Sequence, residues 1–312
     1  MNFVECLSCS RTILTEGALV ERLKNELGLT MDPYVNHAGL IYDNPDALAT
    51  FYRQYIAIAQ RYDTPIMLMT PTRRVNADTV PQSKYANKSL IADACAYLKG
   101  VRADYVGFIE KIFVGGLLGC KGDAYNPVEA LGEEEAYRFH KIQVNEFAKQ
   151  KVDFLFAGIM PAISESIGMA RAMEESEIPY IISFMVKKDG RLLDGTPIAE
   201  AIDIVDRAVD ALPVGYMANC IHPSNLIQAL EQEVNANLRV SGRFLGIQAN
   251  ASSLEPDELN CYGALQQEDF DEMVDKMLYL ANEHQLKILG GCCGTDDIFI
   301  EKLAVKIKQS VR

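Results

Sequence analysis

The chain has 312 residues, 49% hydrophobic and 23% charged, with 30 basic against 43 acidic side chains for a formal net charge of −13. A chain of this length buries roughly three quarters of its surface on folding, so its core needs no disulfide or metal staple, and disordered, collagen-like and low-complexity classes are excluded. The acidic residues are spread along the chain, and such a surface repels phosphate backbones and anionic lipid, which argues against nucleic-acid and membrane partners.

The first seventeen residues have no basic segment ahead of an apolar core, and no apolar run approaches about 18 residues. Neither a signal peptide nor a membrane helix is predicted, and the cytoplasm is the expected location. Short β-branched and apolar runs then recur, each followed by a helical pattern. Strands are predicted over 12–15, 66–70, 114–119, 154–159, 181–186, 214–219, 243–249 and 287–290. Helices are predicted over 45–62, 133–149, 165–175, 197–211, 225–237, 268–284 and 297–308. Thr196-Pro197 reads as a capping hydroxyl ahead of a first-turn proline, and Thr295-Asp296-Asp297 opens the last helix. The alternation predicts an α/β fold, a (β/α)8 TIM barrel filling residues 1–312 as a single domain. An open doubly wound sheet is the alternative, but it calls for a glycine-rich phosphate turn after the first strand, and residues 15–19 do not form one.

A barrel places its chemistry on the loops at the C-terminal strand ends. Of the eight cysteines, two groups fall there: Cys220 closes the sixth strand, and Cys292-Cys293 follow the eighth between glycines. Consecutive strand side chains point to opposite faces, so both members of that pair reach one ion only if the backbone leaves strand geometry, which the flanking glycines permit. Three thiolates around zinc leave one tetrahedral position open for a substrate thiol, held there as the thiolate that an alkylation requires. Buried apolar cysteines or a vicinal disulfide are the plainer readings. His222, two residues after Cys220, would close the site as a fourth ligand, but it reads better as the start of the next helix before Pro223. Cys6-Leu7-Ser8-Cys9 is a lone CxxC, Cys95 reads as core, and Cys120 and Cys261 lie in loops after the third and seventh strands.

Glu16, at the end of the first strand, is a candidate for holding a substrate ammonium, and Ser183 and Asn219 are candidate polar contacts at strand ends. Gly115–Lys121 has no Ser or Thr after the lysine and fails as a phosphate loop, and Lys187-Lys188 runs into an Asp-Gly turn.

Gly290-Gly291-Cys292-Cys293-Gly294-Thr295, Asn219-Cys220 upstream, and the stretches 122–125, 134–140 and 189–197 resemble the homocysteine S-methyltransferase family over nearly the whole chain. The resemblance implies a barrel, a zinc site of Cys220, Cys292 and Cys293, substrate contacts around Glu16 and Gly17, and methyl transfer to homocysteine to give methionine. The chain departs from the family pattern in three places, one being Cys120-Lys121 where a proline is expected before the Gly122-Asp123 turn. Glu16-Gly17-Ala18 stands for Asp-Gly-Gly after the first strand, and Gly158-Ile159 stands for a Glu-Thr pair ending the fourth, with Glu165 too far along to replace that acid. The expected partners are a small-molecule thiol acceptor and a donor with a methyl group on sulfonium or quaternary nitrogen. With no Trp in the chain, an aromatic cage for such a donor must use Tyr or Phe. The alternatives are a different thiol acceptor, or a non-enzymatic zinc-binding or redox-sensing protein in which Cys292 and Cys293 pair once metal leaves.

Overall fold

The computed structural model describes residues 1–259 and 268–310. Eight parallel strands close into a barrel in sequence order. They are β1 (Ile13–Thr15), β2 (Ile66–Met69), β3 (Ile112–Gly119), β4 (Phe154–Met160), β5 (Tyr180–Phe184), β6 (Gly215–Ile221), β7 (Phe244–Ala249) and β8 (Ile288–Gly291). Closure is made by β1 against β8, with Ile13 opposite Ile288 and Leu14 opposite Leu289. Helices Pro45–Arg61, Leu90–Ala103, Glu133–Gln150, Ile163–Glu174, Ile198–Ala208, Pro223–Glu231, Phe270–Glu283 and Asp297–Ser310 surround the strands. Among the described residues, no helix is long and apolar enough to cross a membrane.

The core has two compartments, as strand alternation requires. One face of each strand packs outward on the helices, through Leu14, Leu68, Val114, Leu155, Ile182, Ala218, Ile247 and Leu289 among others. The other fills the barrel with Ile13, Met67, Phe113, Phe154, Phe156, Ile181, Met217 and Ile288. Helix Phe3–Cys9 packs against this inner cluster through Phe3, Cys6 and Leu7, and Phe3 stacks on Phe154 with centroids 4.6 Å apart.

Local starts differ in detail from the sequence expectation. Pro197, not Thr196, is the cap residue of Ile198–Ala208, and Thr196 is held through its own N–H, donating to Asp194 Oδ1 at 2.9 Å. The predicted helix 225–237 is Pro223–Glu231, ending six residues early, and an unpredicted helix Leu238–Arg243 follows it. The last helix is capped by Asp296, which accepts the Phe299 N–H at 2.9 Å, while Thr295 Oγ1 turns back to donate to Cys292 O at 2.8 Å.

Candidate functional site

Two strands leave regular geometry at the C-terminal rim. On β6, Met217 belongs to the interior, so plain alternation would place Asn219 inside and send Cys220 out toward the helices. Instead the register against β7 shifts between Asn219 and Ile221, and Cys220 adopts φ +54°. This is the signature of a β-bulge, which re-aims a side chain at a strand end. On β4 a matching shift lies between Ala157 and Met160, with Ile159 at φ +63°. A β-branched residue in that region is rare and strained. Beyond β8, Cys292 N–H donates to Ala249 O at 2.7 Å, and Thr295 N–H closes a turn onto Cys292 O at 3.2 Å. Gly294 supplies φ +77° within that turn. The chain has left strand geometry there, so neighbouring cysteines share one side.

These devices gather the three sulfurs predicted to converge. Cys220 and Cys292, 72 residues apart in sequence, are in disulfide contact with Cα atoms 5.6 Å apart. Cys293 stays free, its Sγ 3.5 Å from that of Cys220 and 4.0 Å from that of Cys292. The close pair is thus Cys220–Cys292 rather than the vicinal Cys292–Cys293, because the turn swings Cys292 toward β6. Among the described residues this trio is the one set of Cys, His, Asp or Glu atoms close enough to share a metal. Sulfurs at about 2.3 Å from a tetrahedral zinc lie about 3.8 Å apart, so the Cys293 separations match that donor set. Burial, reinforced by the Glu21 carboxylate, pushes the free Cys293 thiol up to about 12.

The sulfurs line a cavity of about 340 Å³ together with Glu16, Gly17, Asn36, His37, Arg73, Tyr125, Gly158, Ile159, Asn219 and Gln248. That volume suits a small molecule. Glu16 follows β1 and is buried; its Oε1 accepts the Met69 N–H at 3.1 Å, while Oε2 has no partner. Burial raises its carboxyl to about 8, so it is largely protonated at neutral pH. Gly17 is squeezed against Tyr55, whose hydroxyl would lie 2.8 Å from an added Cβ. Asn219 is committed at both ends of its amide: Nδ2 donates to Gln248 Oε1, and Oδ1 accepts the Ile159 N–H at 3.4 Å. It therefore holds the β4 bulge. Gln248 in turn donates to Thr15 Oγ1 at 3.1 Å. Ser183 is not brought to the cavity. It shares the inner face with Ile181 and is wholly buried, one residue short of the end of β5.

His222 caps helix Pro223–Glu231, accepting the Ser224 N–H at Nδ1, with Nε2 3.3 Å from Glu268 Oε2. Burial lowers it to about 4, and it does not line the cavity. Cys6 and Cys9 sit on the helix against the inner core, Cys9 exposed; Cys95 is buried in Leu90–Ala103, and Cys120 is a buried thiol after β3. Cys261 lies outside the described residues.

Sequence reasoning missed Arg73, His37 and Asn36. They stand in the loops after β1 and β2, on the rim where a barrel concentrates function, but no motif marks them. Behind them is a buried polar chain. Glu165 Oε1 accepts the Lys121 N–H at 2.7 Å and pairs with His140 Nε2 at 2.8 Å, and Oε2 accepts the Leu131 N–H at 3.3 Å. His140 Nδ1 lies 3.2 Å from Gln143 Oε1, and Gln143 Nε2 donates to Val75 O. The chain thereby ties the loops after β2 and β3 to helices Glu133–Gln150 and Ile163–Glu174.

A closed eight-stranded α/β barrel with a three-cysteine cluster at its C-terminal rim defines the class of protein. The homocysteine S-methyltransferase family model matches residues 13–307, and the chain belongs to that family. It is 25% identical over 184 residues to the homocysteine S-methyltransferase YbgG of Bacillus subtilis (strain 168), a match covering 59% of this chain and 56% of that protein. The match thus spans little more than half the length of this curated relative. Among solved structures, the homocysteine methyltransferase MmuM from Escherichia coli superposes in its metallated form with a TM-score of 0.75 at 18% identity, covering 97% of this chain and 98% of that one. Its oxidized form gives 0.75 at 18% identity, with 96% and 97% covered. This likeness shows the fold.

Proposed function

We propose that the protein is a zinc-dependent methyltransferase that moves a methyl group from an activated donor to a thiol, with homocysteine giving methionine as the leading acceptor. The observation that carries this reading is the convergence of Cys220, Cys292 and Cys293 on one wall of a small rim cavity, in a chain of this family. The donor set is soft and the two separations from Cys293 fit a tetrahedral ion, so the three cysteines, with Cys220 and Cys292 as thiolates rather than paired, are the residues that would hold zinc. When bound, zinc supplies the charge that keeps an acceptor thiol deprotonated at neutral pH. The acceptor sulfur attacks the methyl carbon; the new S–C bond forms as the donor's C–S⁺ or C–N⁺ bond breaks, and the electron pair leaves with the donor as a neutral thioether or tertiary amine. The chain's own part is to fix both partners in the cavity, where the bulges and the Asn219–Gln248–Thr15 chain make the walls rigid. Tyr125 offers an aromatic face to a cationic donor.

A second reading keeps the chemistry and changes the acceptor. Gly158 offers no carboxylate, and a Cβ there would already lie 2.8 Å from Leu117 Cδ1. The cavity therefore lacks one acid that a substrate ammonium would meet in the family pattern. Zinc content decides the first point: protein purified without chelator is expected to carry about one zinc per chain. Cys220→Ser, Cys292→Ser and Cys293→Ser are each expected to weaken binding by two to three orders of magnitude, with loss of methyl transfer. Full zinc retention in all three variants would overturn the proposal.

A further inference from the structure

The most informative unassigned group in the cavity is a cation. Arg73 is half-buried, lines the same cavity as the three cysteines, and among the described residues has no ion-paired carboxylate and no side-chain hydrogen bond. Glu16 and Glu21 line that cavity too, yet neither neutralises it: Glu16 takes the Met69 N–H, and Glu21 takes the Gly294 N–H at 2.6 Å. A half-buried guanidinium that lines a cavity without a counter-charge is suited to receive a planar anion.

Its placement is rigid. Thr70 and Thr72 join hydroxyls at 2.8 Å; Thr72 Oγ1 donates to Leu117 O at 2.7 Å, and Leu117 N–H to Thr70 Oγ1 at 3.1 Å, lacing the chain before Arg73 to β3. Arg73 then packs over Gly119, where an added Cβ would lie 2.6 Å from Arg73 O and 2.8 Å from its Cγ. Two residues on, Val75 O is held by Gln143 from the buried His140–Glu165 chain. His37 and Asn36, on the neighbouring loop, line the same cavity, and their buried Nδ1 and Oδ1 atoms have no hydrogen-bond partner. The cavity that holds the three sulfurs is thus also lined by a cation without a counter-charge and by two residues with unpaired polar atoms.

Resting on the methyl-transfer reading above, we infer that Arg73 binds the anionic group of the acceptor, so that the substrate class is a thiol bearing a carboxylate or sulfonate. The guanidinium repels the onium centre of a sulfonium or quaternary-ammonium donor, so the reacting methyl group is held away from Arg73, and the anion we assign to it is the acceptor's. With Gly158 in place of an acid, the anion anchors the acceptor more firmly than any ammonium does.

The test uses the zinc-loaded full chain, with three thiols titrated by calorimetry and then assayed for methylation. They are homocysteine, its desamino analogue that keeps the carboxylate, and its decarboxylated amine. Arg73→Gln is expected to weaken binding of the two carboxylate thiols by about 10- to 100-fold and leave the amine unchanged, with Arg73→Lys recovering part of the loss. Equal effects on all three thiols, no effect on any, no binding of either carboxylate thiol to the unsubstituted protein, or an effect confined to the donor would overturn the inference. Arg73-dependent binding without turnover would uphold it and instead count against the methyl-transfer reading.

Discussion

Glu16 makes the cavity's electrostatics measurable without a substrate. Its carboxyl moves from an ordinary 4.5 to about 8 because burial outweighs the backbone N–H groups of Glu16 and Met69 that favour the charged form, and Oε2 has no partner. At about 1.4 kcal/mol per factor of ten, this corresponds to about 5 kcal/mol at most. The folded value lies above the unfolded one, so the favourable contribution is complete below about 4.5 and is lost as pH rises to about 8. Between those limits the unfolded chain ionises Glu16 and the folded chain does not. Glu16→Gln keeps an acceptor for Met69 and cannot ionise. Urea denaturation of metal-free protein from pH 5 to 9 is expected to show the variant gaining on the parent, by up to about 4 kcal/mol, with the gain levelling off between pH 8 and 9. A stability difference that stays constant from pH 5 to 9 would refute the buried, protonated carboxyl.

Two further variants probe the frame of the site. Glu165→Leu strands His140 Nε2 and the N–H groups of Lys121 and Leu131 in the interior, and is expected to cost about 3–5 kcal/mol in chemical denaturation. A cost under about 1 kcal/mol would mean that the buried chain does not hold the loops. Gly291→Ala puts a methyl onto Thr295 Oγ1 and 3.1 Å from Gly17 Cα, and is expected to lower stability by about 1–3 kcal/mol while displacing the Cys292–Thr295 turn. The companion reading is zinc content, which falls if that turn sets the sulfur geometry.

Much of the architecture was legible because barrel strands and amphipathic helices have different periods. All eight strands appear where apolar β-branched runs stand, with ends moved by one or two residues. Helix Phe3–Cys9 is not among the predicted helices, being only two turns long. The helix signal was the Asn2/Glu5 capping box, which the structure shows complete. The three cysteines could be grouped by strand-end position and flanking glycines. Ser183 could not be placed, since its distance from the cavity depends on where β5 ends. Arg73 and His37 were invisible, because an arginine or histidine in a loop looks the same whether it faces solvent or a substrate.

The bulges at Ile159 and Cys220 were also unreadable, since glycine is the usual residue at positive φ and neither position has one. Two strained residues at the rim, on β4 and β6 to either side of β5, imply that the surroundings impose the conformation. At Ile159 the fastening is Asn219, whose Oδ1 takes the N–H that the bulge exposes. A non-glycine residue in this region costs about 1–2 kcal/mol, comparable to the stabilisation that a half-buried isoleucine side chain provides. Ile159→Gly is therefore expected to change stability by less than about 1.5 kcal/mol, because relief of backbone strain offsets the lost side chain. At a regular strand position of similar burial, the same truncation would cost at least about 2 kcal/mol. Thermal unfolding of Ile159→Gly beside an Asn219→Ala variant separates the contributions. A loss above about 3 kcal/mol for the glycine variant would mean that the backbone there is relaxed and that the side chain, not the bulge, stabilises the rim.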